Sequence, residues 1–175
     1  MQLCSPMLPV GAYAYSQGLE FAVSSDWIKD ENTTSMWVQG ILVNALANLD
    51  VPVLSRLHKA WSINDNKNVL YWNDYLFASR DSRELQAEEQ QMAQALSRLL
   101  GDLGISEAVE WSKNSRACFL TLFSLGTAHW KIPVNDASWG YLWMWAENQV
   151  LAAIKLVPLG QTSGQKILSS AIEII

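Results

Sequence analysis

The sequence has few histidines and cysteines, the side chains that most often bind transition metals. It contains two histidines, His58 and His129, and two cysteines, Cys4 and Cys118. Neither histidine has a second ligand-type residue at metal-binding spacing on its own helix, and the cysteines form no CxxC pair. We therefore expect no metal site within one chain, and we interpret each histidine as a hydrogen-bonded structural residue. Two isolated thiols without a signal peptide also favour a cytoplasmic location.

Motifs for nucleotide binding and for catalysis are also missing. The segment from Gly160 to Lys166 superficially resembles a phosphate-binding loop, but only three residues separate its glycines, and Gln165 precedes the lysine. A P-loop needs four residues between its glycines and a lysine directly after the second. There is no GxSxG motif, no Asp-rich helical motif of the isoprenoid synthases and no acid–base pair at a defined spacing. We expect a non-enzymatic protein without a cofactor, and keep an enzyme of unknown type as the third hypothesis.

Basic clusters and long apolar runs are scarce as well. The formal net charge is −5, and the longest basic cluster runs only from Arg80 to Arg83, which argues against a nucleic-acid partner. One segment, 141–157, is apolar enough to suggest a membrane span. Because 147–149 places three polar residues in its middle, a position that is costly inside a bilayer, we interpret it as a buried core helix.

The sequence does contain a repeated helical period. Apolar residues recur every three or four positions in stripes over 38–49, 85–103 and 108–125, and no sustained alternation of period two is present. Half of the 175 residues are apolar, which is enough to build one sizeable core. The sequence therefore predicts an all-α fold: a single domain over 1–175, built as a bundle of seven or eight helices joined by short loops.

Capping residues and prolines predict where these helices begin and end. The helix from Ser106 is expected to stop only before Pro133, and the tryptophan-rich helix is expected to end before Pro158. In chain order, the predicted caps or first residues are Thr33 or Thr34, Pro52, Asn64 or Asp65, Asp81 or Ser82, Ser106, Asn135 or Asp136, and Thr162 or Ser163.

Two polar features exceed what a plain bundle needs. Asn148 and Lys155 are seven residues apart on the tryptophan-rich helix and so share a face. This polar stripe is either a solvent-facing strip or a polar contact in a protein interface. The segment from Arg80 to Glu84 places two guanidinium groups and two carboxylates at a helix start. It is either a capped helix with local ion pairs or an arginine pair for bidentate contacts within or between subunits.

Three blocks make the chain similar to the UreF family of urease accessory proteins. The first block is Leu8–Tyr13, continuing over Tyr15–Glu20. The second is Ser79–Leu85, and the third is Lys155–Gln161, at the end of the tryptophan-rich helix. Their order and separation also fit, so the resemblance covers nearly the whole chain.

The resemblance implies a dimeric, non-catalytic all-α protein. Such a protein binds UreD, called UreH in some species, and the GTPase UreG, and the assembly acts on apo-urease when nickel is inserted. The first and third blocks would contribute to the surface that faces UreG, with Glu20 and Lys155 as the leading contact residues. The other partner-binding candidates come from the three blocks and the polar stripe: Tyr15, Ser16, Gln17, Arg80, Arg83, Glu84, Asn148, Pro158, Gly160 and Gln161.

Two further expectations follow. Family members usually continue into a C-terminal tail that helps to dock UreD, whereas this sequence stops at Ile175. We therefore expect the contribution of that tail to be missing here. Nine tryptophans also keep a second hypothesis open: an all-α module that binds a small apolar ligand in an aromatic pocket.

Overall fold

A computed structural model describes residues 2–5, 8–10 and 17–175 of the chain. Within these residues every regular element is helical, and no strand is present. After a short 3₁₀ turn at Gln2–Cys4, the elements are α1 (Leu19–Ser24), α2 (Glu31–Ile41), a π-helical segment (Leu42–Asp50), α3 (Val51–Ser62), α4 (Asn66–Ala78), α5 (Arg83–Asp102), α6 (Ser106–Trp111), α7 (Phe119–His129), α8 (Val134–Leu156) and α9 (Gln161–Ile172).

Helix α2, the π-helical segment and α3 follow one another without a break, so the described residues form eight helical rods. This confirms the predicted all-α bundle of seven or eight helices. Pro52 lies in the first turn of α3, but it does not open a separate helix as predicted. A proline inside a helix lacks an N–H and its ring clashes with the carbonyl four residues earlier. The wider π register just before Pro52, seen in the bond from the Val51 N–H to the Leu46 carbonyl, relieves that clash.

This continuous helix, Glu31–Ser62, is long and apolar enough to span a membrane when judged by length and composition alone. Its inner face is nevertheless part of the bundle. Val38, Leu42, Leu54 and Leu57 are each at most 2% exposed and belong to the main hydrophobic core. A core helix of a folded bundle has these properties.

Two predicted helix starts are confirmed by side-chain caps. The Asp65 carboxylate accepts a hydrogen bond from the Asn68 N–H at the start of α4, and the Ser82 hydroxyl accepts one from the Leu85 N–H at the start of α5. Each cap satisfies a backbone donor that the first turn of a helix leaves without a partner.

Other predicted starts are wrong by a few residues. Helix α2 is capped by Asp30, which exchanges hydrogen bonds with Thr33 in a capping box, so Thr33 lies inside the first turn. Helix α8 begins directly after Pro133, because the fixed φ angle of proline suits a position at a helix start. Helix α9 begins at Gln161, directly after Gly160.

The single helix predicted from Ser106 is two helices. Helix α6 ends at Trp111, and a loop separates it from α7, which begins at Phe119. This loop is held by buried Asn73 of α4: its side-chain amide donates to the Arg116 carbonyl, and its side-chain oxygen accepts from the Cys118 N–H. Helix α7 is buried from Phe119 to Thr127 and forms the centre of the bundle, in contact with α3, α5 and α8.

Candidate partner-binding surface and buried polar cluster

Helix α1 packs against the last turns of α8 through a small hydrophobic cluster. Leu19 and Ala22 of α1, together with Ile28, contact Ala153 and Val157 at the end of α8. All five side chains are at most 3% exposed. The first and third sequence blocks, which are about 135 residues apart along the chain, are therefore neighbours in the fold.

The exposed residues beside this cluster form what we call the α1–α8 surface. Glu20 is exposed in the first turn of α1, and Lys155 is exposed in the last turn of α8. A lysine at the carboxyl end of a long helix interacts favourably with the partial negative charge of the helix dipole. The α1–α8 surface also includes three exposed residues a few positions after Lys155: Pro158, Gly160 and Gln161.

Gln17 fixes the start of α1 to the rest of the bundle. Its side-chain amide donates to the Glu88 carboxylate of α5 at 2.8 Å, and its side-chain oxygen accepts from the Trp145 indole N–H of α8 at 2.6 Å. Gln17 and Gly18 both have positive φ angles, of 49° and 88°, so the chain turns sharply before α1. Glycine takes up this conformation without steric cost. The predicted contacts Tyr15 and Ser16 lie outside the described residues.

Four side chains form a buried polar cluster in the interior: Asp50, Arg80, Glu89 and Tyr141. The Arg80 guanidinium contacts Asp50 Oδ1 at 2.7 Å and Glu89 Oε1 at 2.6 Å through Nη2, and it donates to Glu89 Oε1 through Nε at 2.8 Å. The Tyr141 hydroxyl donates to Asp50 Oδ1 at 2.8 Å. The Phe119 N–H, at the start of α7, donates to Glu89 Oε2 at 2.8 Å.

The protonation of this cluster follows from its charges. Burial alone would lower the pKa of the Arg80 guanidinium, but the carboxylates of Glu89 and Asp50 outweigh it and raise that pKa, so Arg80 stays charged. Burial, and then the charge of Asp50, raise the pKa of the Tyr141 hydroxyl well above its usual value. Tyr141 therefore remains a hydrogen-bond donor. The charge pairs of Arg80 join the π-helical segment to α5, and the Tyr141 hydrogen bond joins α8 to them.

A cavity of about 270 Å³ adjoins this cluster. Glu88 reaches it from α5 and Asn148 from α8. Burial, partly offset by the Gln17 hydrogen bond, raises the pKa of Glu88 to about 7. Asn148 is half-buried here, while Lys155 is exposed, so the polar stripe predicted on α8 divides between the interior and the surface.

The structure separates the predicted arginine pair. Arg80, one of the predicted partner contacts, makes a bidentate contact with Asp50 inside the chain. Arg83 is exposed in the first turn of α5, and Glu84 is exposed beside it. The pKa of Glu84 is lowered, first by its own backbone N–H and then by the Ser82 hydroxyl. Arg83 and Glu84 thus remain available at the surface, at the start of α5.

The histidines and cysteines occupy separate environments. His58 Nε2 lies 2.9 Å from the Ile132 carbonyl oxygen, in line with its interpretation as a hydrogen-bonded structural residue. His129 is exposed at the end of α7, and Cys118 is buried at the start of that helix. In the described part of the chain, no group of three His, Cys, Asp or Glu residues is arranged to hold a metal ion.

An apolar concavity of about 810 Å³ lies at the other side of α8. We call it the tryptophan groove, after its lining residues Trp130, Trp139 and Trp143, which are joined by Phe123 and Cys4. Trp139 is 58% exposed, which is unusual for a side chain of this size. The groove therefore offers a large apolar contact area.

Three groups of residues in this structure were missed by reasoning from sequence. Asp50, Asn73 and Tyr141 carry no local sequence signal that marks them as members of a buried polar network. Glu88 and Glu89 did leave a signal. They lie three and four positions after Leu85 and precede Met92 by similar steps, so they share the apolar face of α5, where a carboxylate must be paired.

A family model and similar curated proteins indicate the same family. The UreF family model matches residues 28–172. The urease accessory protein UreF of Alkalilimnicola ehrlichii is 50% identical over 167 residues, which cover 95% of this chain and 73% of that protein. The proteins of the same name from Hahella chejuensis and Teredinibacter turnerae are 42% and 43% identical, and the matches cover 100% and 99% of this chain and 78% of each relative.

Proposed function

The chain belongs to the UreF family of urease accessory proteins, and from this premise we propose that it acts as a non-catalytic scaffold in urease maturation. It works in the cytoplasm as one domain that links apo-urease and UreD to the GTPase UreG while nickel is inserted. One observation carries the proposal: α1 packs on the end of α8. That packing places exposed Glu20 and exposed Lys155, from two separate family blocks, on adjoining helices.

The α1–α8 surface is suited to a protein partner. The Glu20 carboxylate and the Lys155 ammonium group carry opposite charges, so a partner must present a cation and a carboxylate in matching positions. Such complementary charge patterns increase the specificity and the rate of association. The cluster of Leu19, Ala22 and Val157 beneath these residues is almost fully buried. Changes to the exposed charges should therefore leave the packing intact.

The direct test replaces Lys155 by alanine. Removal of an exposed charge at a helix end should change the free energy of unfolding by less than about 1 kcal/mol. Capture of purified UreG, in the presence of UreD, should weaken by about tenfold, and activation of urease should slow accordingly. Affinity is measured by biolayer interferometry and stability by urea unfolding.

A matched control is Lys113→Ala, which removes an exposed lysine from the loop after α6 and should leave UreG capture unchanged. If Lys155→Ala folds normally and captures UreG as tightly as the parent protein, Lys155 is not part of the interface. If that variant unfolds, the lysine has a structural role instead.

A homodimer formed through the tryptophan groove is the second part of the proposal. Trp130 and Trp139 are exposed in one concavity, and large aromatic side chains dominate the centres of protein interfaces. A stable obligate dimer should bury on the order of 2,000 Å². Light scattering at about 20 μM should give a dimer for the parent chain and a monomer for Trp139→Glu. A monomeric parent chain would contradict the proposal.

The same groove supports one other candidate function, the binding of a small apolar ligand. Its volume of about 810 Å³ lies within the range of pockets that hold drug-sized molecules. An apolar probe such as anilinonaphthalene sulfonate should then raise the melting temperature of the parent protein, and Trp139→Glu, which puts a carboxylate into the groove, should abolish that increase. If the probe only dissociates a dimer and does not raise the melting temperature, the groove is a subunit interface of the scaffold and not a ligand site.

A further inference from the structure

Helix α4 has an exposed outer face that is rich in aromatic residues. The helix packs on α3 with Val69, Leu76 and Phe77 turned inwards, and all three are at most 8% exposed. On the opposite side, Tyr71 and Tyr75 are 58% and 48% exposed. Two adjoining tyrosines at this exposure are the kind of residue that protein interfaces select.

These aromatic residues are ordered by contacts with one another. The Trp72 ring lies between its neighbours, with ring centroids 4.9 Å from Tyr71 and 5.6 Å from Tyr75, both in edge-to-face geometry. The Arg56 guanidinium of α3 lies 4.8 Å from the centroid of the Trp72 ring, a cation–π arrangement. The group is therefore held in place before any partner arrives, which lowers the entropic cost of binding.

The same face carries positive charge. Lys67, Tyr71 and Tyr75 are spaced by four residues and so form one row along α4, while Lys59 lies one turn after Arg56 on α3. Among the described residues, neither of these lysines nor Arg56 takes part in an ion pair. This contrasts with the net charge of −5 for the whole chain.

The nearby carboxylates are already engaged. Asp74 lies 3.9 Å from the Arg116 guanidinium, and Asp65 accepts hydrogen bonds from the backbone and the side chain of Asn68 at the start of α4. Asp65 and Asp74 keep their negative charges and offset part of the positive charge, but together with Arg116 the region still carries four cations, Arg56, Lys59, Lys67 and Arg116, against two carboxylates. A binding partner must supply the complementary negative charge.

We propose that this surface, the α3–α4 face formed by Arg56, Lys59, Lys67, Tyr71, Trp72 and Tyr75, binds an acidic protein segment of one member of the urease-maturation assembly. The inference rests on the function proposed above. The tyrosine and tryptophan rings supply rigid apolar contact area, and the cations pair with carboxylates of the segment and steer its approach. This surface lies on helices other than those of the α1–α8 surface, so the two can be occupied together.

The test reverses the charge of the face in the full chain. Lys59→Glu combined with Lys67→Glu should weaken binding to one of purified apo-urease, UreD or UreG by about tenfold or more. The same double variant should show a smaller dependence of affinity on salt between 50 and 300 mM than the parent protein. A second pair, Tyr71→Ser with Tyr75→Ser, tests the aromatic contribution without a change in charge.

The matched control reverses two exposed charges elsewhere, Lys29→Glu with Arg98→Glu, and should retain the parent affinity. If the parent protein binds a partner and both test pairs bind it equally well, the inference is wrong while the scaffold function stands. If the parent protein binds none of the three partners, the scaffold function itself fails. Binding of phosphatidylserine vesicles or polyuridylate that is lost in Lys59→Glu/Lys67→Glu, with protein binding unchanged, would also overturn the inference.

Discussion

Replacement of Glu88 by glutamine should make the protein more stable at neutral and alkaline pH. Glu88 is 7% exposed on α5, and its carboxylate accepts a hydrogen bond from Gln17. Burial and the neighbouring charge of Glu89 raise its pKa, whereas Gln17 and Arg80 lower it, and the result is about 7. Arg80 is already paired with Asp50 and Glu89, so it stabilises the ionised form of Glu88 only weakly.

The sign of the pH dependence follows from this raised pKa. The folded state holds the Glu88 proton more tightly than the unfolded state, whose carboxyl has the ordinary value of 4.5. The stability that Glu88 contributes is therefore complete below about pH 4.5 and is lost as the pH rises through about 7. A pKa change of this size corresponds to about 3 kcal/mol. Water in the adjoining cavity should reduce the measured effect to about 2 kcal/mol.

The assay is urea unfolding of the parent protein and Glu88→Gln at pH 5, 6, 7 and 8. Glutamine keeps an oxygen that can accept from Gln17 and cannot ionise, so the variant should gain up to about 2 kcal/mol relative to the parent between pH 5 and pH 8, with equal m-values. Glu110→Gln, at an exposed position on α6, is the control and should show a constant difference. A constant difference for Glu88→Gln as well would refute the argument.

Two further predictions concern the interior. Arg80→Ala leaves Asp50 and Glu89 buried without a cation and should lower the free energy of unfolding by about 3–5 kcal/mol. Arg83→Ala, at the exposed start of α5, should change it by less than about 0.5 kcal/mol. Urea unfolding of both variants measures these changes, and similar losses in the two variants would contradict the prediction. Burial also raises the pKa of the Cys118 thiol, so a thiol reagent at pH 8 should label that cysteine only once the protein unfolds, as peptide mapping of labelled native and denatured protein would show.

The helical class could be predicted because its signals are local. The apolar period identifies the helices, and short polar side chains such as Asp65 and Ser82 cap them through bonds that span three residues. The predicted helix starts are wrong where two local signals compete. Asp30 and Thr33 can both cap a helix, and in the capping box the first is the cap while the second completes it. Pro133 directly precedes α8, a position that a proline permits, whereas Pro52 lies where the π-helical segment continues into α3.

The buried cluster could not be predicted because its members are far apart in sequence. Asp50, Arg80 and Tyr141 meet only when the π-helical segment, the start of α5 and α8 pack together. Sequence patterns record which face of a helix is apolar, but they do not record which helix that face meets. The carboxylates on the apolar face of α5 were the one available sign of a buried cation, and Arg80, the nearest arginine before α5, is that cation.

The first sequence block combines two kinds of residue whose variants must be interpreted differently. Gln17 is bonded inside the fold to Glu88 and Trp145, and its replacement would leave the buried indole N–H and the carboxylate without that partner, a loss of about 1–3 kcal/mol. Glu20, three residues later, is exposed on α1. A loss of partner capture in a Gln17 variant would therefore reflect the placement of α1 on α8. The same loss in a Glu20 variant of unchanged stability would reflect the contact itself.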